Sequence, residues 1–279
     1  MTEFQLYLLQ YVVPLILACS LIEGFYFQIK SRFDWFAMLV SLSDFFARLF
    51  FQYVLPISIA SPFLNWAQAH AWGLFELNGV LAFLGVFLMQ DFCYYWMHRA
   101  SHRIRWFWCN HAVHHSSNSL SLSAAYRLGI FGKQMGTLIF FLPLVLMGLS
   151  PNVVYEIVTF NLLYQFWLHA TWIPKLGFLE KVINTPSSHR IHHASNPEYI
   201  DGNYGGVLII FDRLFGTYKP EREDLIIQYG LTKPVLSRNP LVVQFFEWHH
   251  LIADLKGAKS LKDILGYLFK YPGWQPKAT

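Results

Sequence analysis

Apolar residues in this chain run in long blocks, broken by short polar stretches. The first block extends from about Phe4 to Phe27 and ends at Lys30 and Arg32. The second runs from about Trp35 to Leu55, the third from about Leu74 to Met97, the fourth from about Ile130 to Leu149, and the fifth from about Val153 to Leu168. A helix needs ~20 residues to cross ~30 Å of hydrocarbon. The blocks therefore predict an all-α, multi-pass transmembrane bundle of about four to five crossings. The last two are the shortest and are joined by Ser150-Pro151-Asn152, so either a full or a re-entrant hairpin fits them.

Charge placement orients these helices. Cytoplasmic loops carry an excess of Lys and Arg. With the N-terminus outside and five crossings, every Lys and Arg except Arg48 falls on the cytoplasmic side, from Lys30 and Arg32 through Arg99, Arg103 and Arg105 to the basic tail. Arg48 lies four residues after Asp44 in the second block, a spacing that predicts an ion pair turned to the bundle interior. MTEFQLYLLQ lacks the basic start of a cleaved signal peptide, so the first block reads as a retained anchor.

Composition agrees with lipid as part of the solvent. The chain is 54% hydrophobic and only 14% charged, against ~25% charged for a typical soluble domain. The net charge of +4 comes without a basic block or a nucleic-acid motif, so no nucleic-acid partner is expected. Cys19, Cys93 and Cys109 form no C-x-x-C and read as small apolar residues, with no structural disulfide. The chain divides into N-terminal transmembrane helices over 1–72, a catalytic domain over 73–220 and a cytoplasmic or interfacial segment over 221–279. Within the last segment, 240–271 mixes basic residues with FF, WHH and GYLF, a pattern of a helix lying on the membrane or packed on the protein body.

The chemistry is carried by histidine. Nine of the 12 histidines form four clusters at the predicted cytoplasmic helix ends. HRASH supplies His98 and His102 on one helix face; HAVHH supplies His111, His114 and His115; QFWLH supplies His169; HRIHH supplies His189, His192 and His193. Imidazole suits Zn, Cu, Fe and Ni. A catalytic zinc takes about three protein ligands and a structural one about four, so nine histidines suit two metals with open positions. No cysteine pattern suggests a zinc ribbon or an iron–sulfur cluster. His70 falls on the predicted outer side, and His249 and His250 read as part of a membrane-surface helix.

HRASH, HAVHH and HRIHH, in that order, resemble the three histidine boxes of the fatty acid hydroxylase/sterol desaturase superfamily. The surrounding DFCYYWMHRASH, QFWLHATWI and SSHRIHHASNPEYIDGNYGGVLIIFDRLFGTY resemble that family too, over most of residues 75–220. The closing YPGWQP is similar to the tail of its bacterial sterol desaturase-like and alkylglycerol monooxygenase-like branch.

The resemblance implies a membrane-bound oxidoreductase that uses two Fe ions and O2 to hydroxylate or desaturate a C–H bond of a membrane lipid, whether sterol, fatty-acyl or alkyl lipid. Zn is a possible substitute in purified protein. It implies an external electron donor, a separate reductase or cytochrome, since no flavin or haem domain is visible in the chain. It places the protein in a bacterial inner membrane or the endoplasmic reticulum, with the nine histidines as ligands facing the cytoplasm. Some relatives carry a histidine where Gln165 stands, so water or Gln165 fills a tenth position. Imidazole ligands need acceptors for their second N–H; Asp91 and Asp201 are the expected carboxylates, while Glu198 and Asp212 read as loop and turn residues. Asn203, Gly205 and Gly206 are expected to form a tight turn beside the metals. The substrate is expected to arrive laterally between the third, fourth and fifth helices.

Two other readings begin from the same histidines. A zinc-dependent membrane hydrolase predicts a glutamate base, as in H-E-x-x-H, which is absent. A non-catalytic metal- or haem-binding membrane protein predicts ligands near the bilayer midplane rather than boxes at one face.

Overall fold

A computed structural model of the chain describes residues 3–73 and 79–276. Among these residues no β-strand forms, only the isolated bridges Ile183–Leu208 and Ala194–Tyr229. Helix α1 covers Glu3–Lys30. Its hydrogen-bond ladder loosens into a π-helical turn at Leu8–Val12, just ahead of Pro14, which has no N–H to donate. Helix α2 is Trp35–Val54; the Asp34 carboxylate caps it, accepting from Phe36 N (3.1 Å) and Ala37 N (3.0 Å). Short α3, Ser61–Ala69, has Pro62 in its first turn, where no N–H is needed. Helix α4, Val80–Arg103, carries the third apolar block; the part of that block at 74–78 lies outside the described residues. Extended Ile104 ends α4, and α5, Arg105–His115, turns back against it.

The fourth and fifth blocks form shorter helices than the other three. Among the described residues three helices, α1, α2 and α4, are long and apolar enough to cross a membrane. The fourth block yields only α6, Thr137–Leu146, half of it 3-10, between left-handed Gly136 (φ 79°) and Gly148 (φ 118°). At 1.5 Å per residue α6 spans about 15 Å, half the hydrocarbon thickness. Helix α7, Pro151–Phe166, is capped by Ser150 and tightens into a 3-10 turn at Trp167–His169. Phe141, Leu144, Val145, Val154 and Val158 from these two helices and Leu149 from the turn between them close a core with Leu64 of α3 and Val86 and Cys93 of α4.

Helix α8, Pro186–His192, and short α9, Ile210–Leu214, flank the turn at 201–208. The tail forms α10, Pro240–Gly257, and α11, Leu261–Phe269. These pack on the body: Val243 joins Val40, Ala112 and Val113, and Leu251 and Tyr267 cover Cys109. Buried Arg105 pairs with Asp254 of α10 at 2.6 Å. Of the two readings of 240–271, packing on the body therefore holds for one face of each helix.

Asp44 and Arg48 attract one another, but the expected pair is not a close one. It is absent from the ion pairs among the described residues. Asp44 instead accepts from Leu128 N (2.8 Å) and Gly129 N (3.1 Å). Glu23 of α1 does the same further along, accepting from Leu122 N (2.8 Å) and Trp172 Nε1 (3.1 Å). Unpaired backbone N–H groups are costly away from water, and these carboxylates from the first two helices satisfy the loop 122–129.

Candidate metal centre

The nine clustered histidines meet in two groups. His98, His102, His111, His115 and His192 form one; His114, His169, His189 and His193 form the other. Within each group one ring nitrogen per residue lies within 4.8 Å of every other. The sequence spacing explains the division. Successive residues of a helix point about 100° apart, so His114 and His115 at the end of α5 diverge into different groups, as do His192 and His193 at the end of α8. Residues four apart share a face, which brings His98 with His102, His111 with His115 and His189 with His193.

The rings are held by backbone carbonyls. His98 Nδ1 donates to Tyr204 O (2.9 Å), His169 Nδ1 to Gln165 O (2.9 Å) and His192 Nδ1 to Gly202 O (3.1 Å). His114 Nδ1 faces Ala124 O (3.1 Å) and Arg127 O (3.0 Å). A carbonyl only accepts, so Nδ1 carries the proton and Nε2 keeps its lone pair. Those Nε2 atoms converge. His111 Nε2 lies 3.1 Å from the Nε2 of His98 and of His102, and 3.2 Å from that of His115. His189 Nε2 lies 3.1 Å from those of His169 and His193. His192 Nε2 is buried with no hydrogen-bond partner.

This arrangement fits metal ions. A neutral imidazole can donate to only one neighbour through Nε2, so the other close contacts of His111 and His189 bring lone pairs together, which repel unless a cation lies between them. Two nitrogens bound at right angles to one ion at about 2.1 Å would stand roughly 3.0 Å apart, close to the separations found. Burial also keeps the rings in the neutral form a ligand requires. It holds His111, His115, His189, His192 and His193 well below the usual imidazole range, with neighbouring imidazoles adding to the effect. It lowers His114 to about 4 against the pull of its two carbonyls, and His169 to about 3.

The expected supporting carboxylates stand one step further out. Asp91 accepts from Asn161 Nδ2 (2.9 Å), Val207 N (2.9 Å) and Leu208 N (2.8 Å), and its hydrogen bonds reach no imidazole. Asp201 pairs with Arg103 and accepts from Tyr204 Oη (3.0 Å). Both brace the turn whose carbonyls hold His98 and His192. Sequence reasoning missed Asp212, which is fully buried and accepts from Tyr204 N and Gly205 N, each at 2.7 Å, and from Thr217 Oγ1 at 2.6 Å. Burial pushes its carboxyl up, and the Thr217 hydroxyl and the two N–H groups oppose the shift. Glu198 is exposed, as a loop residue should be.

The turn is tight. Asp201 and Asn203 adopt left-handed φ of 63° and 58°, a region that Asn and Asp tolerate better than most residues. A Cβ on Gly206 would meet Asn161 Oδ1 at 2.5 Å and Asp91 Oδ1 at 2.8 Å. The Gln165 side chain is engaged by two neighbours: its Nε2 donates to Asn161 Oδ1 (2.7 Å) and its Oε1 accepts from Tyr94 Oη (3.1 Å). His70 stacks on Trp66 and bonds Trp66 O, away from the cluster. His249 and His250 are both exposed, and His250 also lines a cavity.

That cavity, of about 830 Å³, opens onto His102, His115 and His192. Its walls include Trp108 of α5, Phe246, Glu247 and His250 of α10, and Tyr271. It lies between α5 and the tail.

Residues 83–217 match the family described as fatty acid hydroxylase, and this segment, with all nine histidines, belongs to it. The chain is similar to alkylglycerol monooxygenases: 42% identical to that of Danio rerio, over 76% of this chain and 44% of the relative, and 43% identical to that of Homo sapiens, over 70% and 42%. It is 26% identical to the ornithine lipid hydroxylase OlsE of Rhizobium tropici, over 65% of this chain and 55% of the relative. The chain thus spans less than half the length of the alkylglycerol monooxygenases it matches. No solved structure matches it.

Proposed function

We propose that this chain is a membrane di-iron oxygenase that hydroxylates or desaturates a C–H bond of a membrane lipid, with O2 as oxidant and electrons from a separate reductase or cytochrome. The observation that carries the proposal is the convergence of nine imidazoles, seven buried and two half-buried, into a group of five and a group of four inside a fatty acid hydroxylase segment. The names of the relatives, alkylglycerol monooxygenase and ornithine lipid hydroxylase, support an oxygenase acting on lipid.

His98, His102, His111, His115 and His192 would hold one iron, and His114, His169, His189 and His193 the other. Bound there, the irons would supply activation of O2 for hydrogen abstraction from an unactivated carbon. The protein's part is to hold and to exclude. The carbonyls of Tyr204, Gly202, Gln165, Ala124 and Arg127 fix which imidazole nitrogen faces inward. Asp91, Asp201 and Asp212 brace the turn that carries two of those carbonyls. The four-histidine group is wholly buried, whereas the five-histidine group borders the cavity. The cavity beside His102, His115 and His192 is the route of approach that the fold offers. We place the centre on the cytoplasmic face because the basic residues lie toward that end of the helices. Among the described residues neither group of candidate ligands contains a carboxylate.

Iron content and Mössbauer spectra of detergent-purified, iron-supplied protein test the proposal. Two coupled irons per chain are expected. One tightly bound zinc, with no iron uptake under reducing conditions, would overturn it.

A further inference from the structure

The two tail helices present apolar faces that the body leaves uncovered. On α11 the inward side is Gly266 and Tyr267, closed by Trp274; a Cβ on Gly266 would meet that indole at 2.3 Å. The opposite side is apolar and turned outward: Leu261, Ile264, Leu265 and Phe269 follow the i, i+3, i+4, i+8 spacing of one face, with Leu261 70% and Phe269 57% exposed. A helix on a water-covered surface turns such a face inward. On α10 the same holds for Leu241, Phe245 and Ile252, which are exposed while Val243 and Leu251 pack on the body.

Two further observations say what covers these faces. The first is continuity with the lipid-facing side of α2. Arg238, just ahead of α10, lies over the Phe36 ring at 5.0 Å, and Val243 packs with Val40. Phe245 meets Phe131 at 6.1 Å, and Phe131 meets Phe51 at 5.9 Å. The exposed apolar residues of α10 thus continue the exposed Leu39, Phe46 and Phe50 of a membrane-crossing helix. The second is charge. From Lys256 to Lys270 the chain carries exposed Lys256, Lys259, Lys262 and Lys270 against one carboxylate, Asp263, which accepts from Lys259 N at 3.1 Å.

We propose that α10 and α11 form a docking surface for the anionic headgroup layer of the bilayer, with Leu241, Phe245, Ile252, Leu261, Ile264, Leu265 and Phe269 inserted below the phosphates and the four lysines among them. Such helices bind by apolar burial plus attraction to anionic lipid. The other side of α10 carries Phe246, Glu247 and His250, a wall of the cavity that reaches His102, so this surface seats that wall at the bilayer edge. The inference rests on the membrane reading of α1, α2 and α4 and not on the metals.

Nitroxide labels on Leu265→Cys and Phe269→Cys, in the full chain reconstituted in nanodiscs, test it. Glu223→Cys, whose side chain is 93% exposed, is the water-facing control. Collision rates are read with oxygen, which concentrates in lipid, and with a water-soluble nickel chelate. In equal parts phosphatidylcholine and phosphatidylglycerol the oxygen-to-nickel ratio should be several-fold higher at 265 and 269 than at 223. In phosphatidylcholine alone it should fall toward the control. A ratio at 265 and 269 equal to that at 223 in the anionic bilayer overturns the surface. Low collision with both agents means a protein covers it and overturns the lipid as occupant. An equal ratio in both bilayers overturns the role of the lysines. Metal content, measured on the same samples, reports on the metal reading separately.

Discussion

Replacing Asp212 by Asn isolates how a buried carboxylate shapes the five-histidine group without touching it. One oxygen of Asp212 accepts from Tyr204 N and Thr217 Oγ1, the other from Gly205 N. An Asn of the same shape keeps one acceptor and turns an NH2 toward a backbone N–H. The Gly205 N–H is then buried without a partner, which costs ~1–3 kcal/mol, and the remaining bonds lose their charge assistance. The strain falls on Tyr204, whose carbonyl holds His98 Nδ1 at 2.9 Å. Disturbing such a support lowers metal affinity by about 10–100-fold. Titration of the purified protein with Co(II) against a competing chelator should therefore show one weakened ion and one unchanged ion in Asp212→Asn, with Glu198→Gln behaving as wild type. Equal weakening of both ions, or unaltered affinity alongside a lowered melting temperature, would refute the link from Asp212 through Tyr204 to His98.

Three other substitutions address separate parts of the site. His114→Ala should remove the ion of the four-histidine group and abolish activity while membrane insertion persists, as fractionation and metal analysis would show; full metal content would contradict the grouping. Gly206→Ala forces a methyl against Asn161 and Asp91 and should lower stability by ~1–3 kcal/mol, visible as an earlier thermal transition. His250→Ala should leave metal content near that of wild type, since His250 lines the cavity but belongs to neither group; loss of metal would mean the set of ligands is drawn wrongly.

The sequence reveals this centre unevenly, for physical reasons. Histidine pairs three and four apart on a helix are legible because the helix period alone brings them together, and the grouping of His98 with His102 and of His189 with His193 follows. Their hydrogen-bond partners are backbone carbonyls, which carry no residue identity, so Tyr204 and Gly202 left no signal. Asp91 and Asp201 were expected to touch imidazoles because carboxylates near boxes often do, yet backbone N–H groups and Arg103 engage them first. Asp212 resembled an ordinary turn acid; only the folded turn shows two N–H groups aimed at it. The fourth apolar block was long enough on paper to cross a bilayer, but Gly136 and Gly148 take left-handed conformations that end α6 early.

The division of adjacent histidines between groups also constrains when the centre can be built. His192 belongs to the group of five and His193 to the group of four, so neither set is complete until the chain has been synthesised past 193. By then α1 and α2, made first, can already grip the loop 122–129 through Glu23 and Asp44 and so bring its carbonyls to His114. A ribosome-bound chain stalled before 189 would present an aligned but incomplete cradle, lacking three ligands of the final nine. Two ions bound as proposed would then become fully ligated at nearly the same point of translation, and a nascent chain would have little opportunity to trap a single, wrongly shared metal.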